Sequence, residues 1–555
     1  MPGVWLVIRI IFLVNYFFIS IILVNKIIEI INKNKIKKIN NIDKNNYLKN
    51  NNLKLKNNKK IINNYLIEEK NNKNNIINLL IGIDKNNKKI FIPEKGLYQN
   101  ILVTGTIGTG KTSSAMYPIT EQLIKYNSYD NNKKIGMLIL DVKGNYYKQV
   151  KEYVEKYNRN EDLIIIEING KYKYNPLDKI NIKASVLANR LKIIMELFSG
   201  NTSESYWIDK SEQILCEAIK LCRLYNNGYV SFEEIHNFII NKEYYDNKIK
   251  ILKNKFNNNK FNQEEKYNLL SALNFFEKEF LSLDSRSMAL LKSQITRITS
   301  CFISDYSILN TFSPKESSTE FSGIKDIINE GKIVVLNMNI AEYKNLSKII
   351  AAYLKLDFQA EVLSRLSNGN NERTVAFISD EYHEYITETD ADFYAQSREA
   401  KCINVVATQS YKSLLKTLKD EAALSVVTQN LINKIWFRTD DIFTIEEAQK
   451  QIGKEEKEKV TKSISENAKE TTYSYIRDDF KSKDSSISES INSSYEKDYI
   501  FDSNFFTQEL ETFSAVAFLS DGNKIIKPQK IRLIPYFKKG SDMWLKGKYY
   551  TYVYI

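Results

Sequence analysis

From about residue 88 the chain alternates short, continuously apolar runs with longer stretches in which apolar residues recur every three to four positions. The runs are Asn100–Thr104, Met137–Asp141, Leu163–Glu167, Lys332–Asn337, Thr374–Asp380, Asn404–Thr408 and Lys434–Phe437. Each is short and lacks polar alternation, which predicts strands buried on both faces. Separated by helical stretches, they predict one parallel sheet in an α/β domain. Between about 184 and 305 the strand pattern stops and amphipathic helical spacing takes over, as in Ser211–Leu224. That change predicts an all-α domain inserted into the α/β one. Ser, Lys and Glu dominate Glu455–Lys497, predicting an exposed or disordered segment, and apolar strand text resumes at Thr512–Leu519.

Val4–Val24 is an apolar run interrupted mainly by Arg9 and Asn15. At 1.5 Å per residue it makes about 30 Å of helix, one bilayer crossing. No small-residue cleavage pair follows it, and the dense lysines after Lys26 predict a cytoplasmic location for everything downstream. The expected division is therefore a transmembrane helix at 1–25 and a Lys/Asn-rich cytoplasmic connector at 26–87. The first part of the α/β domain follows at 88–183, the all-α insert at 184–305 and the second part at 306–454. An exposed segment at 455–499 precedes a C-terminal return to the core and tail at 500–555.

The 80 basic and 67 acidic residues give a net charge of +13, but residues 26–75 hold 13 lysines against four acidic residues. The rest is nearly neutral, so a nucleic-acid site there has to be a local patch or channel. The same stretch holds 17 Asn, and compositional bias accounts for it equally well. Four cysteines without a CxxC pair and two distant histidines supply neither a zinc cluster nor a disulfide framework. No GxSxG turn occurs, which removes serine-hydrolase chemistry of that kind.

The strand ending at Thr104 runs into Gly105-Thr106-Ile107-Gly108-Thr109-Gly110-Lys111-Thr112, and helical text follows from Ser113 to Lys125. This is the GxxxxGK[ST] phosphate loop. Its glycines let successive N–H groups curl around a phosphate at a helix N-terminus. Lys111 bridges the β- and γ-phosphates of ATP, and Thr112 offers an oxygen to Mg2+.

Such a site needs an acidic strand end for the metal and a carboxylate for the attacking water. The strand Thr374–Ser379 ends in Asp380-Glu381, which assigns Asp380 to the metal and Glu381 to water activation. Asp141 at the end of another strand is the rival, but no glutamate adjoins it. Gln409 ends the strand Asn404–Thr408 and reads either as a γ-phosphate sensor or as a strand-end cap. Arg398, one of 12 arginines against 68 lysines, reads either as an arginine finger reaching a neighbouring subunit or as a helix-surface residue.

Taken in order, these pieces resemble the type IV secretion coupling proteins, the TraG/TraD group of conjugative motor ATPases. The loop Gly105–Thr112, Leu138–Asp141 with Val142-Lys143-Gly144, Tyr174-Asn175-Pro176-Leu177-Asp178 and Tyr206-Trp207 carry the first half of the likeness. Gly331–Asn339, Asp380-Glu381, Ser397-Arg398 and Ala407-Thr408-Gln409-Ser410 carry the second. The resemblance implies a RecA-like P-loop NTPase with an inserted all-α domain, assembled as a homo-hexamer on a membrane stem. It implies coupling of ATP hydrolysis to passage of single-stranded DNA and an attached relaxase into a secretion channel. On the same basis Lys111 and Thr112 hold nucleotide and metal, Asp380 and Glu381 form the acidic pair, Gln409 is the sensor and Arg398 the finger. Two departures stand out: one membrane span where the family commonly has two, and Asn145 where an acidic residue is usual after Lys143-Gly144. The competing functions are an FtsK/HerA-like duplex-DNA translocase, a protein-moving secretion ATPase, and a nucleotide-gated membrane scaffold that does not hydrolyse ATP.

Overall fold

The computed structural model describes residues 76–537 except 199–204, 315–320, 370–372, 467–470, 475–478 and 483–486. The expected transmembrane helix at 1–25 and most of the expected connector lie outside the described residues. Among the described residues no helix is long and apolar enough to cross a membrane.

An eleven-stranded sheet forms the centre, in the order β2-β1-β15-β14-β9-β3-β8-β7-β4-β6-β5. Its parallel strands are β3 (Ile101–Thr104), β4 (Gly136–Leu140), β5 (Leu163–Ile166), β6 (Ile333–Leu336), β7 (Val375–Ser379), β8 (Cys402–Thr408) and β9 (Asn433–Phe437). Each matches one of the continuous apolar runs, because these strands are covered on both sides. Leu138, Leu140, Phe377 and Val406 face one core, shared with the helices that follow residue 184. Met137, Ile139, Ile378 and Val405 face the other, under the helix Tyr117–Lys125 and the helix Tyr146–Lys156. The result is a mixed α/β fold with a large parallel sheet.

The sheet continues past β9 through antiparallel strands: β14 (Ser514–Phe518), β15 (Gln529–Arg532), β1 (Asn78–Ile83) and β2 (Lys89–Pro93). The structured α/β part therefore starts before residue 88. Ile77, Leu79 and Ile81 enter the core, and Gln122 of the loop-following helix clasps both backbone groups of Leu80, at 2.9 and 3.0 Å. This correction to the expected connector went unread in the sequence because the Lys/Asn text runs up to the strand.

Between β5 and β6 the described residues are helical, from Ala184–Phe198 through Tyr306–Phe312. Over 454–499 the chain pairs along an antiparallel ladder, β10 (Lys454–Glu466) with β13 (Ile487–Tyr499), and a shorter pair lies between them, β11 (Thr471–Ser474) with β12 (Asp479–Ser482). Its polar residues face solvent on both sides near its base, so no apolar face marked it as sheet.

Candidate functional site

Strand order assembles the site. β8 lies between β3 and β7, and β7 pairs with β4 on its other side. All run parallel, so residues following each strand meet at one sheet edge: the loop after β3, Asp380-Glu381 after β7, Gln409 after β8 and Asp141 after β4. This is the carboxyl-end crevice where open α/β sheets bind ligands.

The loop after β3 turns through glycines at left-handed φ, Gly105 at 153°, Gly108 at 81° and Gly110 at 98°. At Gly110 a Cβ would also strike the Phe513 ring, so only glycine lets the chain pass. The loop is fastened to neighbouring strand ends: Gly105 N–H donates to the Gln409 carbonyl (3.2 Å) and Thr106 N–H to the Arg438 carbonyl (2.9 Å). Ile107 is 80% exposed at the tip, while Thr109 is buried and its hydroxyl closes the turn onto the Thr106 carbonyl at 2.8 Å. The first helical turn, Lys111–Met116, is wound wider than an α-helix before Tyr117–Lys125 continues.

Lys111 is 8% exposed, and its ammonium donates to the carbonyls of Gly105 and Thr106. Burial pushes its pKa down, against the pull of Asp380 and Glu381. The Thr112 hydroxyl donates to Asp380 Oδ2 at 2.8 Å. Burial, reinforced by Asp141, raises the Asp380 carboxyl above its ordinary value although Lys143 opposes it. A hard divalent cation fits this arrangement: a buried carboxylate oxygen and a hydroxyl oxygen converge beside a glycine-built cradle that leaves no room for a Cβ at Gly105 or Gly110.

Glu381 follows in the left-handed region, φ 51° and ψ 43°, an uncommon setting for a residue with a side chain and one that marks strained functional positions. Burial pushes its carboxyl up, but Lys143, His383 and Lys111 together hold it below its ordinary value. Its Oε1 is ion-paired with the Lys143 ammonium. Its Oε2 accepts from Gln409 Nε2 at 3.3 Å and lies 3.5 Å from His383 Nδ1. Gln409 thus joins the cluster by side chain and by backbone.

Asp141 does different work from its rival Asp380. Its carboxylate accepts the backbone N–H groups of Lys143 (2.9 Å), Asn145 and Tyr146 (both 3.1 Å), shaping the loop that presents Lys143. Asn145 precedes the helix Tyr146–Lys156 without a side-chain cap; Asp141 supplies the missing acceptor. Arg398 is not brought to the cluster. It is exposed in the turn before β8, at the opposite end of that strand, about 20 Å from the loop edge at 3.3 Å per residue. Within its own chain it serves no contact at this site.

Lys143 and His383 are the site residues that reading the sequence did not assign. Lys143 belongs to the Val142-Lys143-Gly144 motif, to which the sequence assigns no role, and His383 has no partner histidine nearby in sequence to suggest a site. The usable signal is position, since Lys143 follows an apolar strand by three residues and His383 follows one by four.

Residues 286–491 match the family model described as the type IV secretion-system coupling protein DNA-binding domain. The chain is similar to type IV secretion coupling proteins. The resemblance drawn from the sequence is thereby borne out. Among solved structures, the bacterial conjugative coupling protein TrwBdeltaN70 in an unbound form matches with TM-score 0.54 at 13% identity, covering 82% of this chain and 88% of that one. The plasmid coupling protein TrwB in complex with ADP and Mg2+ gives TM-score 0.54 at 13% identity, over 80% of this chain and 87% of that one. The same protein with the non-hydrolysable GTP analogue GDPNP gives 0.54 at 13%, over 80% and 88%. At such identity these structures carry the fold alone. A comparison with curated proteins found no match.

Proposed function

We propose that this chain is a membrane-anchored ATPase that couples ATP hydrolysis to transfer of single-stranded DNA, with bound relaxase, into a type IV secretion channel. The observation that carries the reading is the convergence, on one sheet edge, of Lys111, the Thr112–Asp380 pair, Glu381 and Gln409. The loop N–H groups from Ile107 to Thr112 and the Lys111 ammonium hold the phosphates of ATP, the Thr106 N–H being engaged by the Arg438 carbonyl. Thr112 and Asp380 hold Mg2+, which when bound neutralises charge on the transferring phosphoryl group. Glu381 orients and polarises the attacking water, and Gln409 links that carboxylate to the phosphate loop. The TrwB structures solved with ADP and Mg2+ and with a GTP analogue support this use of the fold.

The fold is RecA-like, with the helical stretch as an inserted all-α domain, and the working form is a homo-hexamer at the cell membrane, anchored by a single span at 1–25. Arg398 supports the ring: exposed at the far end of β8, it can serve as a finger only for a neighbouring subunit's nucleotide. The matched DNA-binding family model supports DNA as the partner.

The test is ATP turnover by the full chain with and without single- or double-stranded DNA, beside Lys111→Ala. Stimulation by single strands supports the coupling role, and preference for duplex favours an FtsK/HerA-like translocase. Turnover indifferent to DNA favours a protein-moving ATPase, and absence of turnover in every arm favours a nucleotide-gated scaffold.

A further inference from the structure

The carboxylate assigned to water activation has neither oxygen free. Glu381 Oε1 is held by Lys143, while Oε2 accepts from Gln409 and faces His383. Lys111 already supplies the cation of the phosphate cradle. Lys143 comes from a different direction, the loop after β4, and its side chain is 50% exposed.

That loop is shaped from within and open to solvent at Lys143 and Asn145. Asp141 gathers its N–H groups, and Gly144 turns at φ 71° where a Cβ would press on Asn339 at 3.1 Å. The Val142 carbonyl accepts the Ile340 N–H at 2.8 Å. The placement of Lys143 is thus tied to the short helix Ile340–Tyr343, which has no buried residue. A contact on its exposed face, at Ala341 and Glu342, would be transmitted through one hydrogen bond and one glycine turn to the ammonium that grips Glu381.

We propose that Lys143 is a positioning residue that restrains Glu381, keeping its carboxylate from the attacking water until a contact on the 339–343 segment draws the 141–146 loop away. The proposal rests on the ATPase reading for its consequence but not for its geometry. Lys143→Met removes the ammonium and keeps the length of the side chain; Lys143→Arg keeps the charge. In the full chain without nucleotide, Lys143→Met speeds amide hydrogen exchange at Glu381–Tyr385 several-fold and leaves β4 unchanged, and Lys143→Arg restores protection. With ATP and Mg2+ but no DNA, Lys143→Met raises turnover several-fold with ATP and ADP affinities unaltered. Unchanged exchange at 381–385 overturns the restraint. So does reduced or equal turnover in Lys143→Met, or a selective loss of ATP over ADP binding, which would place Lys143 on the phosphate instead. If the wild type shows no turnover in any arm, the ATPase reading falls, and the exchange experiment still decides whether Lys143 restrains Glu381.

Discussion

Two buried ionic clusters lie a few residues apart on the chain that follows β7, and they are built on opposite principles. Asp390 is fully buried and fully served. It accepts from Lys355 Nζ (2.7 Å), Gln359 Nε2 (2.8 Å), the Thr387 N–H (3.0 Å) and hydroxyl (3.1 Å), and the Tyr382 hydroxyl. Lys355, also fully buried, spends its remaining protons on the Tyr385 carbonyl (2.8 Å) and the Thr387 hydroxyl (2.9 Å). Asp380 and Glu381 have the same ingredients with conflict left in. One carboxyl is raised by burial and by a second aspartate, the other sits on a left-handed backbone, and their cations come from two loops. A saturated cluster fixes structure; a cluster with unresolved electrostatic tension is one whose partners can be exchanged for a ligand. The first clamps the loop on which the second depends.

Substitutions break or sharpen this contrast. Glu381→Gln removes a water-polarising carboxylate, so turnover falls by about 10²–10⁴-fold while ATP binding, followed by fluorescent-nucleotide titration, is kept. Loss of binding would move Glu381 out of the chemistry and into the cradle. In the saturated cluster, Lys355→Met removes the ammonium with which buried Asp390 pairs, costing about 3–5 kcal/mol of stability in thermal or urea unfolding. The double variant Lys355→Met/Asp390→Asn recovers much of that loss. Equal loss in single and double variants would show that packing, not pairing, carries the cluster.

A third buried charge sharpens the comparison by having no counter-ion. Lys434 on β9 is 4% exposed, and among the described residues no carboxylate pairs with it. Burial alone pushes its pKa down to about 8 from 10.5. Below pH 8 the native chain carries a charge that the unfolded chain holds at no cost, and between pH 8 and 10.5 the native side chain sheds its proton and the penalty fades. Stability therefore rises with pH across that window. Lys434→Met is expected to gain about 3 kcal/mol at pH 7, a gain that disappears as pH approaches 10.5 in parallel unfolding curves. The smallest effect is Gln409→Ala, which removes one long hydrogen bond to Glu381 and lowers turnover about tenfold, about 1.4 kcal/mol, with folding unchanged.

The parts of the site that could be read in the sequence are those made by neighbours in the chain. Gly105–Thr112 is one turn, and Asp380-Glu381 is one strand end, so each announces its chemistry locally. Apart from β14, announced by the apolar text at Thr512–Leu519, the antiparallel edge is not legible, because β1 pairs with β15, whose residues lie far along the chain, and the apolar alternation of β1 is brief. The β10–β13 ladder was missed because neither strand offers an apolar face. Arg398 shows how proximity in sequence can mislead about proximity in space. It precedes the strand that ends at Gln409, so the two are close in sequence, yet a fully extended strand carries them to opposite edges.

The sequence by itself determined the parallel strands, the phosphate loop and the acidic pair, because burial on two faces and backbone curvature are requirements each short segment meets alone. Only the tertiary structure decided that β8 lies between β3 and β7, which brings Gln409 to Glu381 and Thr112 to Asp380. Only it decided that Lys143 grips Glu381 while Asp141 shapes the loop. The reason is physical: pairwise electrostatic contacts within a few ångströms depend on strand order, and strand order is set by which faces the packed helices bury, a property of the assembled chain.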